Sequence, residues 1–294
     1  VERYYARPSV DVEGDGLSWA TAMSVTNFFA KYGIVNNPCE VWIAAGTVSA
    51  QAISITNNAP LVIRGGFAGT ETSLDERAEG ALTVFDGENT AKCLLKALTG
   101  ENAELALDRI KFYRANENGF IKTGTGSLKV VDCVIEGNGK DVDRIFGRGM
   151  NVSGGGVGSL VVSNCVFKGN VRRGGVYTYG GFGIYVNSFS AALVEDTLFV
   201  TNGYALGVVP GSGNCGGEHK FLHFSSAVIG DYLFLSKSRI SVRSFSSALG
   251  SGAGAGAGAS STFFFSVTFL MRLMNKKMEK AMMRKSKVCC RKFP

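Results

Sequence analysis

The residues best equipped for chemistry fall in two segments that follow equivalent asparagines. After Asn138 come Lys140, Asp141, Asp143, Arg144 and Arg148, and after Asn170, 32 residues later, come Arg172, Arg173, Tyr177 and Tyr179. Carboxylates beside Arg and Tyr can hold sugar hydroxyls or acidic groups, with guanidinium forking onto carboxylate and rings stacking on a sugar face. The same residue types also fit an ordinary pair of solvated loops closed by their own salt bridges. As a hydrolase site the cluster has Asp141 and Asp143 as its only carboxylate pair. Glycoside hydrolysis needs two carboxyls about 5–9 Å apart across a sugar, and nothing fixes a further acid opposite these two. The expectation is a binding flank made of Asp141, Asp143, Arg144, Arg148, Arg172, Arg173, Tyr177 and Tyr179, with no catalytic residue.

Other letter patterns carry less. Cys215, His219 and His223 have the spacing of three metal ligands on one helix face, but the segment is Gly-rich before and aromatic after. Gly211, Gly213 and Gly216 match a dinucleotide fingerprint without the strand and helix that give it meaning. No metal site and no cofactor are expected.

The two chemical segments belong to a repeat. Leu128, Val130, Cys133, Ile135 and Asn138 return as Leu160, Val162, Cys165, Phe167 and Asn170, then as Ala192, Val194, Thr197, Phe199 and Asn202, 32 residues apart each time. An earlier copy, Leu105, Leu107, Ile110 and Phe112, ends in Asn116, one residue out of phase. A fixed period of this size signals a solenoid. Within each copy the alternation describes two half-buried strands joined by a bend, and a glycine-led strand follows (Gly119–Lys122, Gly149–Val152, Gly183–Val186). Stacked coil on coil, Cys133 and Cys165 become adjacent small inward side chains. Asn138, Asn170 and Asn202 become an amide ladder at the bend, in left-handed backbone that Asn tolerates. The fold class expected is all-β, a right-handed parallel β-helix with an N-terminal capping helix and an irregular C-terminal tail.

Three regions follow. Residues 1–39 hold a short edge strand, Arg3–Arg7, and a helix from about Trp19 to Tyr32 capped by Ser18. Residues 40–206 hold the coils, beginning with short apolar runs at Val41–Ala45, Ile53–Thr56, Leu61–Gly65, Leu82–Asp86 and Cys93–Lys96, with one helical turn near Leu74–Glu79. Residues 207–294 are low in acids, carry the Ala/Gly run 250–259 and end in a basic stretch. The net charge of +7 is confined to that end: residues 270–294 hold nine Lys/Arg against one acid, leaving residues 1–269 near −1. The main body therefore lacks the electrostatic footprint of a nucleic-acid binder. Seven cysteines form no C-x-x-C pair, and no apolar run reaches the length of a membrane-spanning helix.

The segments Gly14-Asp15-Gly16-x-Ser18-Trp19-Ala20-Thr21-Ala22, Val41-Trp42-Ile43-Ala44-Ala45-Gly46-Thr47 and Gly65-Gly66-Phe67-Ala68-Gly69-Thr70-Glu71-Thr72 resemble the start of bacterial secreted proteins with a pectate-lyase-like parallel β-helix. The later Cys-x-Phe-x-x-Asn coils resemble the repeats of polymorphic outer-membrane proteins. The resemblance spans residues 1–206 and implies a secreted or cell-surface bacterial protein. It implies a structural, adhesive or glycan-binding scaffold whose partner is a polysaccharide or a neighbouring cell surface. The alternative it leaves open is a polysaccharide lyase or glycoside hydrolase of the same fold. The tail beyond 206 reads as foreign to the β-helix, as a shifted reading frame would be, which leaves a truncated product without function as a further alternative.

Overall fold

The computed structural model describes residues 1–49, 52–139, 148–153, 158–171, 181–187 and 191–202, together with backbone strands at 204–209, 222–229, 232–235 and 240–243. Within it the strands stack into three faces, and every pairing is parallel. The first face stacks Glu2–Arg7, Cys39–Ala44, Leu61–Phe67, Glu104–Asp108, Ser127–Val131, Ser159–Ser163 and the first half of Ala191–Val200. The second stacks Gly46–Ser49, Thr83–Asp86, Ile110–Tyr113, Val134–Glu136, Val166–Lys168 and the second half of Ala191–Val200. The third stacks Ile34–Val35, Ile53–Asn57, Cys93–Thr99, Asn118–Thr123, Arg148–Ser153, Phe182–Asn187 and Tyr204–Val209. The chain visits the faces in turn, which makes a right-handed parallel β-helix.

The alternation read from the sequence is the alternation of burial. Leu61, Leu105, Leu128, Leu160 and Ala192 form one inward column. Phe85, Phe112, Ile135, Phe167 and Phe199 form another, with the rings of Phe167 and Phe199 stacked 5.1 Å apart. Leu95, Phe120, Met150, Ile184 and Leu206 line the third face. Coil length is uniform only late in the chain. The coil to coil step is 44 residues at Arg64 to Asp108, 23 at Ala115 to Asn138, and 32 thereafter.

The Asn ladder is present, with a backbone different from the expected one. The left-handed residue is the one before each rung, Gly137, Gly169 and Thr201, with φ of 67°, 60° and 52°. The asparagines themselves are buried and point toward the preceding coil. Asn138 Nδ2 donates to Phe112 O at 3.2 Å and to Asn170 Oδ1 at 2.9 Å. Asn170 Nδ2 donates to Ile135 O and to Asn202 Oδ1, both at 2.8 Å, and Asn202 Nδ2 donates to Phe167 O at 2.9 Å. Each Oδ1 also accepts the backbone N–H of the rung before it, so Asn170 Oδ1 takes Asn138 N at 3.2 Å. In the coil before Asn138 the rung position belongs to Ala115, whose N–H donates to Asn138 Oδ1 at 2.8 Å. Asn116 therefore stands one place beyond the ladder.

The glycines that lead the third-face strands make room for this. A Cβ on Gly119 would lie 2.8 Å from Gly149 O and 2.9 Å from Asn138 Nδ2, and one on Gly149 would meet Gly183 O at 2.6 Å and Asn170 Cγ at 3.0 Å. At the inward bend position the column runs Cys133, Cys165, Thr197. Cys133 Sγ donates to Val131 O and Cys165 Sγ to Ser163 O, both at 3.1 Å, while Thr197 Oγ1 donates to Glu195 O at 2.7 Å. The two thiols are free and buried, as expected of stacked small side chains.

Two details differ from the sequence reading, the start of the helix and the place of the first strand. The helix is Val25–Tyr32, capped by Ser24, whose side chain accepts Asn27 N at 3.3 Å. Ser18 instead closes a turn on Thr21, and Trp19 leaves the helix to pack on Tyr5 and Phe67, its Nε1 donating to Glu71 O at 2.9 Å. The first strand is not an edge, since Met23–Ser24 pairs with Ala6–Arg7 outside it. The helix still buries Val25, Phe28 and Phe29 against the first coils, Phe28 and Tyr32 meeting Tyr4. Past 206 backbone pairing is broken by register shifts at Glu195–Thr197 and Tyr204–Leu206, and runs through Tyr204–Val209, Leu222–Ile229, Tyr232–Leu235 and Ile240–Arg243. The remainder of 207–294, including the 250–259 run and the basic end, lies outside the described residues.

One charge is buried inside the stack. Lys122 occupies the inward column between Ala97 and Val152, fully buried. Its Nζ donates to Gly124 O at 2.8 Å and to Gly126 O, so the turn carbonyls take the place of water. Burial pulls its pKa down to about 8.

Truncating Phe167 to Ala, in the middle of a stacked ring column, should cost about 3–5 kcal/mol in denaturant unfolding. Gly119→Ala, which forces a Cβ onto a rung amide and a carbonyl, should cost about 1–3 kcal/mol. Stability should also fall in alkali. Burial pushes Cys39 up to about 11, Cys93 up to about 12 and Cys133 well above the ordinary thiol range, the last aided by Cys165. The unfolded chain loses these protons near pH ~8.5 while the fold retains them, so their contribution is lost as pH rises above that value. Lys122 acts oppositely between pH 8 and the ordinary lysine value, because there the unfolded chain holds the extra proton. Three thiols outweigh one amine. The urea midpoint should decline from pH ~8.5 to ~11, less steeply in Cys93→Ala and more steeply in Lys122→Met.

Candidate functional site

The two segments of the predicted flank begin just after rungs of the ladder. Asp141, Asp143, Arg144, Arg172, Arg173, Tyr177 and Tyr179 lie outside the described residues, as does Lys140. What is described is where their segments begin and end. Residues 140–147 follow Gly139, whose N–H donates to Ala115 O at 2.9 Å, and residues 172–180 follow Val171, just after the next rung. The chain re-enters the third face at Arg148 and Phe182, which pair directly. The two segments thus leave from stacked positions and return to stacked positions, one coil apart.

Arg148 is the one member of the predicted set whose side chain is described, and it sits differently from a solvated loop residue. It opens the strand Arg148–Ser153 and is only 7% exposed. Its guanidinium lies 3.7 Å from the centroid of the Tyr185 ring, a cation–π distance. Burial draws its pKa down to about 10, with Tyr185 opposing. Tyr185 and its neighbour Asn151, which pair across the coils, face outward at the same place. Sequence reading passed over both. Their signal was the outward parity of Asn151 and Tyr185, two places after Gly149 and Gly183.

A second cluster lies on the outside of the first face. Arg64 bridges Glu40 of the preceding coil and Asp108 of the following one, the latter at 2.8 Å, and Arg77 meets Asp108 at 3.0 Å. Beside it Val62, Ala106 and Val131 floor a groove of about 250 Å³ edged by Glu104, Lys129 and Asp132. The second face repeats the arrangement with Asp86–Arg114 and with Glu136 held between Lys111 at 2.8 Å and Lys168 at 3.5 Å.

These carboxylates are tuned toward ionisation. Burial alone would raise each of them, but Arg64 outweighs it at Glu40, Arg114 and the Glu88 N–H at Asp86, and Lys111 and Lys168 at Glu136, so all three end below the usual carboxylate range. A general acid working at neutral pH needs the opposite shift. Their geometry binds coil to coil.

Of the remaining patterns only His223 is described. His223 lies in a strand paired with Leu193, not on a helix, and Cys215, His219, Gly211, Gly213 and Gly216 lie outside the described residues. Among the described residues no three His, Cys, Asp or Glu side chains are grouped to hold a metal ion. Among them, too, no helix is long and apolar enough to cross a membrane.

No family model matches the chain, and no curated protein matches it. Among solved structures it is similar to the crystal structure of pectate lyase Pel9A, at 13% identity and a TM-score of 0.39, covering 83% of this chain and 76% of that one.

Proposed function

We propose that the chain is a non-catalytic extracellular or cell-surface scaffold whose third-face flank binds a polysaccharide or the glycan coat of a neighbouring cell. The observation that carries this reading is the stacking of the roots of 140–147 and 172–180 one coil apart, beside Arg148 and Tyr185. Two segments rich in Arg, Asp and Tyr then share one flank of a rigid stack, at a spacing suited to successive groups of an extended polymer. Arg supplies forked donors, Tyr supplies a ring face, and Asp accepts from hydroxyls. The coil-to-coil pairing of the described carboxylates supports a scaffold over an enzyme. Nucleic acid is not the partner on this reading, since residues 1–269 carry no net positive charge.

The test is incubation with a panel of acidic and neutral polysaccharides, with unsaturated products, reducing ends and retention followed together. Retention without turnover is expected. Replacing Arg172, Arg173 and Tyr179 together by Ala should weaken it at least about tenfold, since each charge-assisted contact contributes ~1.5 kcal/mol or more. Turnover of any member of the panel would replace this reading with a lyase or hydrolase.

A further inference from the structure

The chain contains three Asn-Gly dipeptides, and two of them, Asn138-Gly139 and Asn202-Gly203, fall on rungs of the ladder; the third is Asn118-Gly119. Asn followed by Gly is chemically exposed in a flexible chain, because no Cβ shields the glycine nitrogen from the asparagine Cγ. At Asn138 the fold itself demands the pair: Gly139 has φ +93°, a region that L side chains rarely adopt. The middle rung is followed by Val171, a β-branched residue that shields its own nitrogen.

The folded stack holds the reaction off at both ends. The would-be nucleophile, Gly139 N, donates its proton to Ala115 O at 2.9 Å and faces the neighbouring coil. The would-be electrophile is pinned by Ala115 N on Oδ1, at 2.8 Å, and by Phe112 O and Asn170 Oδ1 on Nδ2, at 3.2 and 2.9 Å. Its side chain is 1% exposed. Bringing Cγ onto Gly139 N requires all of these bonds to break.

We propose that Asn138 is a deamidation site that opens only when its coil leaves the stack, and that the reaction bars the chain from returning. Gly139 N attacks Asn138 Cγ; the N–Cγ bond forms, the Cγ–Nδ2 bond breaks, and ammonia departs with the proton that Gly139 N gives up. The resulting succinimide is opened by water at either carbonyl, to aspartate or isoaspartate, with no change of oxidation state. Either product spoils the rung. A carboxylate oxygen then faces Phe112 O and Asn170 Oδ1, where an N–H₂ group had supplied both with donors. Isoaspartate also adds a main-chain carbon, so Gly139 no longer meets Ala115 and the strands that follow lose register. The ladder thus joins the coils while they are stacked and marks chains that have come apart.

The full-length chain, held in mildly alkaline buffer with and without urea, tests this when amide loss is followed at each Asn by peptide mapping with isoaspartate detection. In urea, Asn118, Asn138 and Asn202 should convert at similar rates, with Asn170 slower. In the folded protein conversion at Asn138 should fall at least ~100-fold, because only the open fraction reacts. On removal of urea, chains converted at Asn138 should stay out of the folded fraction. Asn170→Ala, which removes the acceptor of Asn138 N and Nδ2, should speed conversion at Asn138 in the folded state. Conversion at Asn138 in the folded protein within about tenfold of the urea rate would overturn the proposal. So would converted chains refolding in proportion to their abundance, or an unchanged Asn138 rate in folded Asn170→Ala protein. Should that variant not fold, the wild-type comparison decides the matter alone.

Discussion

Stacking equivalent positions about 4.8 Å apart leaves a buried amide at a bend to find its partners in the coils above and below. The ladder at Asn138, Asn170 and Asn202 meets that constraint with one residue type. A primary amide carries two donors and an acceptor on a short stem, so a rung can donate to the preceding coil's carbonyl and to the next rung, and accept from the preceding backbone. Neither aspartate, which has no donor, nor threonine, whose hydroxyl donates only once, closes the same set. The ladder can begin on Ala115 because its first member needs only an N–H. The glycines at 119 and 149 belong to the same interaction, since the amides occupy the space a Cβ would take.

The same constraint explains which parts of the fold were legible in the sequence. Where coils keep the 32-residue step, inward residues, rung residues and room-making glycines recur in phase and can be read directly. Where the step is 44 or 23, the stacked residues are still equivalent in space, but the corner segments between them differ in length and break the phase. Ala115 is the clearest case: its backbone does the work of a rung, leaving no side chain to signal it. Lys122 is another, because a lysine in an alternating pattern reads as outward until the carbonyls of Gly124 and Gly126 are known to lie within reach. The helix start was misplaced because Ser18 and Ser24 are equally good caps by type, and only the Trp19 ring's place against Tyr5 and Phe67 excludes the earlier one. Of the candidate flank, the stacked ends of its two segments were legible by period; Arg148's burial against Tyr185 depends on a pairing that one segment alone does not reveal.

The bend between the first and second faces adds a second periodic feature. Arg109, Asp132, Asn164 and Asp196 all take φ near +50° at stacked positions. Asn and Asp accept that region at low cost, which suits three of the four. Arg109 is the exception, and its Nη1 reaches Ala78 O at 3.0 Å, so the long excursion before Thr83 is fastened to the coil that follows it. The conformational cost of an unusual residue at a bend is offset by an interaction that serves the stack.

A division of labour follows. Inward positions are fixed by packing, rungs by amide geometry, and many outward charges by pairing across coils, as Arg64 is between Glu40 and Asp108. Side chains committed in these ways cannot also adapt to a ligand without weakening the stack. Corners are different. Lengthening a loop adds little to its closure entropy, only ~0.6 kcal/mol per doubling, provided its ends stay where the coils need them. The 44-residue step shows the fold accommodating such a segment early in the chain, and the ends at Asn138, Arg148, Asn170 and Phe182 meet the same condition later. Recognition chemistry can therefore vary at this corner while the rungs beside it stay constant, and that favours the proposed binding flank next to the ladder over one on the ion-paired faces.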